Sequence, residues 1–127
     1  MRVFKNKVFS RYARRQRITD DDLCHAVAEI ESGLVDANYG GNLFKKRIAR
    51  EGQGKSGGHR AILAYVKGDK AFFMYGFEKS AKDNLGRNEQ RDYKRLAKTY
   101  IALNDAQLAL ACGENILFEV NCDEKDL

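Results

Sequence analysis

The stretch "HRAILAYVK" (59–67) limits what this chain can fold into more than any other feature. Ala61, Leu63 and Tyr65 alternate with Ile62, Ala64 and Val66, which is the two-residue period of a β-strand. A tight turn, "GDK", leads into "AFFMYGF", so the two runs form a hairpin. Just upstream, "FKKRIARE" reads as a strand with Phe44, Lys46 and Ile48 on one face and Lys45, Arg47 and Ala49 on the other. Residues 39–78 are therefore expected to give three or four consecutive antiparallel strands.

Helical periods flank this block. The segment "RVFKNKVFSRYARRQRI" predicts a short strand or turn and then a helix. "TDDDLCHAVAEIESGL" predicts a second helix, with Thr19 as N-cap and acids in the first turn. Its stripe is Leu23, Val27, Ile30 and Leu34, and Gly33 closes it. "VDANYGGNL" reads as a turn-rich connector. Downstream, Tyr93, Leu96, Ala97, Tyr100, Ile101 and Leu103 keep helical register, "DAQLALACG" adds a short helix, and "ILFEV" is a last short strand. The expected class is α+β. A helical hairpin (1–38) packs on a small antiparallel sheet of three to five strands (39–78), followed by C-terminal helices (79–113) and a short strand and tail (114–127). With 127 residues, no proline and no internal repeat, the chain reads as one domain.

Composition narrows the function classes. No apolar run reaches the roughly 20 residues that span a bilayer, and the basic N-terminus lacks a signal-peptide core, so the expected location is the cytoplasm. Cys24, Cys112 and Cys122 are odd in number and scattered, with no C-x-x-C pair and no metal-ligand spacing to His25 or His59. They are expected to be buried, reduced thiols. The net charge is +5, and six cations lie between Lys45 and Arg60 against the single acid Glu51. Such density suits a polyanion, nucleic acid before lipid.

"AREGQGKS" (49–56) has the spacing of a nucleotide-binding phosphate loop. That loop needs a buried strand before it and a helix starting at its Lys-Ser. Here the strand "KKRIARE" is too charged for a buried parallel strand. Gly57 and Gly58 would each cost a helix about 1 kcal/mol, and a strand pattern follows. Nucleotide hydrolysis is therefore set aside. Between two antiparallel strands, the loop glycines would instead let a ribose-phosphate chain approach closely, with Lys55 and Arg60 supplying charge.

The block "GGNLFKKRIAREGQGKSGGHRAILAYVKGDKAFFMYGFEKSAKDNL" resembles the RelE-like toxins of bacterial toxin–antitoxin pairs, in particular the RelE/HigB branch. The shared features are its G-K-S/R-G-G-x-R segment, its aromatic strand ending Y-G-F/Y-x-K, and a following D-N-L/I. The resemblance covers about residues 1 to 115. It implies messenger RNA cleavage on the ribosome, no cofactor, and neutralisation by an antitoxin encoded alongside, often a helix-turn-helix protein. By position, Arg60 matches the arginine expected at the scissile phosphate. Arg47 and Lys45 match basic residues of the preceding strand, one of them a proposed general base, and Lys79 matches the leaving-group acid or transition-state cation. Lys55 belongs to the loop motif. Leu85 stands about where some members carry a base-stacking tyrosine, and Ser80-Ala81-Lys82 replaces a common Asn-Glu-Arg run.

The implied chemistry is attack of a ribose 2′-hydroxyl on the adjacent phosphodiester, metal-independent, with lysines whose charging is disfavoured by their cationic neighbours. The catalytic candidates are Arg60, Lys79, Arg47 and Lys55. Lys45, Lys46, Arg50, His59 and Lys82 complete the RNA-binding set. His59 has two readings, base or packing residue. Strand alternation turns it away from Arg60 and favours packing. Two other functions share the architecture: a ParE-like, non-catalytic gyrase inhibitor, and an inactive relative that only binds antitoxin or operator DNA.

Overall fold

The computed structural model describes residues 1–49, 58–80, 82 and 84–122. Strand β1 (Arg2–Asn6) opens the chain, and Asn6 then caps helix α1 (Lys7–Gln16) by accepting from the Phe9 amide at 2.8 Å. Arg17, at φ 57, ends α1 in the left-handed conformation. Helix α2 (Asp20–Glu31) starts with a reciprocal capping box between Thr19 and Asp22 and three acids in its first turn, which its positive end favours. Gly33, at φ 94, turns the chain out of α2. Leu34, expected on the apolar stripe, lies beyond the helix end and is 56% exposed.

The next four strands are β2 (Ala37–Gly40), β3 (Leu43–Ile48), β4 (His59–Val66) and β5 (Lys70–Glu78). Then come α3 (Arg87–Ile101), α4 (Asp105–Gly113) and β6 (Leu117–Val120). The sheet has six strands in the order β2-β3-β4-β5-β1-β6. That is one more than the upper end of the three to five expected, and the extra strands come from the chain ends. β1 lies parallel to β5 with Phe4 opposite Phe72, and β6 pairs antiparallel with β1. The segment read as connector contains β2. The first 38 residues are therefore no separate helical hairpin: they include β1 and the start of β2, with α1 lying mainly over β5 and α2 over β3.

Alternation along β4 divides the apolar residues between two cores. Ala61, Leu63 and Tyr65 meet Phe9, Leu23, Val27 and Phe73 beneath α1 and α2. Ile62 and Ala64 meet Phe4, Phe72, Ala97, Tyr100 and Leu108 beneath α3 and α4. A bulge in β5 opposite Ile62 and Leu63 puts Met74 and Tyr75 on the same side, so Phe77 pairs with Arg60 on the α3 face. Across the other face, Tyr12 of α1 lies against Gly76.

Cys24 and Cys122 form a disulfide, with Cα atoms 5.7 Å apart and a sequence separation of 98. This corrects the expectation of reduced thiols. α2 crosses the end of β6, a meeting that sequence spacing did not reveal. Two outcomes follow. Alkylation without reductant should label Cys112 alone, and three thiols should react after reduction; three reactive thiols at the outset would show the pair open. A Cβ on Gly76 would sit 2.3 Å from Tyr12 Cδ2, so Gly76→Ala should lower stability by about 1–3 kcal/mol in urea unfolding, the usual cost of overpacking.

Candidate active site

Of the expected site residues, Arg47, His59 and Arg60 fall at the facing ends of β3 and β4, Lys45 and Lys46 lie farther back on β3, and Lys79 lies just past β5. Cross-strand register sets Arg47 opposite Arg60, and Arg60 opposite Phe77. Directly opposed residues share a face of an antiparallel sheet, so these three form one row on the α3 side. Lys45, two residues back and opposite Ile62, shares that face. Arg60 is 2% exposed, and Lys45 is half-buried. Lys79 follows the last residue of β5 and is exposed. Lys55 and Arg50 lie outside the described residues.

Other candidates lie elsewhere. Lys46 points under α2, where its ammonium lies 3.1 Å from Glu29 Oε1 and its side chain is 4% exposed. His59 is also on the α1 face: it is buried, edge-on to the Tyr12 ring, with Nδ1 in hydrogen-bond contact with the Tyr12 hydroxyl. Lys46 was expected at an RNA surface; for His59, placed in the same set, packing was the favoured reading, and alternation along their strands turns both from the α3 face. Lys82 is ion-paired with Glu89 in the first turn of α3. That ammonium, helped by the Gly86 amide, holds the Glu89 carboxyl below the usual carboxylate range. The support it gives the start of α3 is present above that range and is lost as pH falls through the lowered value.

Arg47 is divided between two neighbours. Its backbone stands beside Arg60, whereas its Nε lies 3.3 Å from Asp36 Oδ1 and its amide donates to the same carboxylate. It also borders a cleft of about 470 Å³ shared with Asp22 and His25 of α2. Like charges directly opposite destabilise a sheet, and a carboxylate at the edge relieves part of that cost.

The structure adds an aromatic group that sequence reading did not single out. Tyr75 stacks on Tyr93 of α3 with centroids 5.5 Å apart and lies 5.8 Å from Phe77, which shares the row of Arg60. Burial, with the neighbouring Tyr75 and the nearby acids adding to it, pushes the Tyr93 phenol up to about 12. The signal was present in "YGF" but could not be assigned a face, because the bulge sets it. Leu85, at the position expected for a stacking tyrosine, is 5% exposed and belongs to the core under α3.

The family described as RelE toxin of RelE / RelB toxin-antitoxin system matches residues 1–120. No curated protein matches the chain. No helix among the described residues is long and apolar enough to cross a membrane. The packing role of His59 has its own test: Tyr12→Phe removes the hydroxyl from a buried ring nitrogen and should cost about 1–3 kcal/mol in denaturant unfolding.

Proposed function

Because the chain belongs to the RelE toxin family, we propose that it is a metal-independent endoribonuclease that cuts messenger RNA on the ribosome and thereby stops translation. Toxins of this family are generally translation-inhibiting ribonucleases. The observation that most supports the reading is the row Arg47–Arg60–Phe77, with Lys45 on the same face. It sets cationic and aromatic groups side by side where β3 and β4 run into the glycine-rich segment between them.

In the proposed reaction the 2′-oxygen attacks phosphorus and the bond from phosphorus to the 5′-oxygen breaks. The products are a 2′,3′-cyclic phosphate and a 5′-hydroxyl. Arg60 faces the phosphorane oxygens, since a guanidinium presents parallel donors matched to phosphate. An arginine cannot give up its proton in a protein, and the Arg47 head group is held by Asp36, so the base role falls to Lys45. Lys45 lies on the same face as the arginine pair, two residues along β3 from Arg47. Lys79, just past the end of β5, protonates the departing oxygen, and Lys55, outside the described residues, is the further cation that the family motif supplies. Tyr75 and Tyr93 offer the stacking surface for a base that Leu85 cannot. The partner implied by the family is a RelB-type antitoxin, and the expected setting is the cytoplasm.

Arg60→Ala should lower message cleavage in a translating extract by about 10²–10³-fold, the usual cost of removing one transition-state donor. Lys79→Ala should lower it as well, and both variants should relieve growth arrest while keeping a cooperative thermal transition. Undiminished toxicity in both would refute this site. Intact messages with impaired supercoiling would point to gyrase inhibition instead.

A further inference from the structure

Helix α3 packs one stripe against the sheet through Tyr93, Ala97 and Tyr100. A neighbouring stripe has no such cover. Arg87, Arg91, Lys94, Arg95 and Lys98 line a groove of about 740 Å³ between α3 and the β2–β3 turn, and among the described residues no acid lines it. Among the described residues none of these five cations is in an ion pair.

The floor of the groove is carbon. Ile101 and Ala102 close one end, and the methylenes of Lys94 lie across the turn. A Cβ on Gly41 would meet Lys94 Cγ at 3.5 Å, so the stem rests almost on the backbone. The turn allows this approach because Gly40, Gly41 and Asn42 sit at φ of 85, 61 and 63. From residue 87 to residue 102 the helix rises about 22 Å, room for roughly four turns of another helix.

A carbon floor with a cationic rim complements an amphipathic helix whose polar face is acidic. A nucleic-acid backbone would use the rim alone, and among the described residues the groove offers no aromatic ring for a base to stack on. We propose that this groove seats an acidic amphipathic helix of a partner protein. The RelB-type antitoxin that the family implies is the class of protein that would carry it. The inference rests on charge and shape along α3 and does not require the ribonuclease reading.

A labelled helical peptide of about 16 residues, with leucines along one face and glutamates elsewhere, tests it by fluorescence anisotropy. The control peptide has the same composition with its leucines scattered round the helix. The patterned peptide should bind at least about tenfold tighter than the control. The double change Arg91→Glu/Lys98→Glu, at two exposed positions, should weaken it by at least about tenfold. Ala102→Arg adds positive charge but fills the floor, so it should also weaken the peptide. Equal binding of the two peptides, or peptide binding unchanged or tightened in Ala102→Arg, would overturn the proposal. So would a labelled single-stranded RNA of about twelve nucleotides that binds wild type, tightens in Ala102→Arg and is not displaced by the patterned peptide. The Arg60→Ala variant should bind the peptide as wild type does, which separates failure here from failure of the nuclease site. Thermal melts confirm that each variant is folded.

Discussion

Strand β4 must be covered on both faces. Ala61, Ile62, Leu63 and Ala64 are each fully enclosed, so apolar side chains project from both sides of one backbone. A sheet with helices on only one face would leave Ile62 or Leu63 in water, at a cost of about 1.5–3 kcal/mol per large side chain. The helices therefore divide: α1 and α2 cover one face, α3 and α4 the other. The chain ends enter the sheet for the same reason. β1 and β6 extend it past β5, giving Phe4 and Leu117 places in the α3 core and Val3 and Val120 places in the α1 core.

The same alternation sorts the cations. Around β3 and β4 the odd–even pattern separates Lys46 and His59, which end in buried contacts under α2 and α1, from Lys45, Arg47 and Arg60, which share the α3 face. A cluster that looks uniform in sequence becomes two sets with different work. One set stabilises packing by satisfying buried polar groups. The other keeps like charges close together, an arrangement that favours an anion.

Helix α3 connects the two basic surfaces. Its sheet-facing stripe supplies Tyr93 beside the Tyr75–Phe77 aromatics, and its next stripe holds the cations of the groove. The surface proposed for RNA and the groove proposed for a partner helix therefore adjoin along one helix. The disulfide between Cys24 and Cys122 ties α2 to the end of β6 on the opposite face, away from either surface. The bond ties the end of the segment after β6 to α2, so reducing it would loosen that end of the sheet.

Much was readable in the linear chain because it depends on neighbours two to four residues apart. Strand periods in "FKKRIARE" and "HRAILAYVK", the Thr19 cap and the Gly33 stop are local rules, and the structure follows them. They also separate Lys46 from Lys45 and Arg47, because alternation is a property of the strand alone. What required the folded molecule was long-range. The parallel partnership of β1 with β5 joins residues about 68 apart, and the bulge that moves Phe77 into the row of Arg60 depends on β4. The Cys24–Cys122 bond depends on where α2 crosses β6, and the carbon floor under the α3 cations depends on a turn of β2–β3. A repeat in sequence determines which way a side chain points from its own backbone; only packing determines what it meets there.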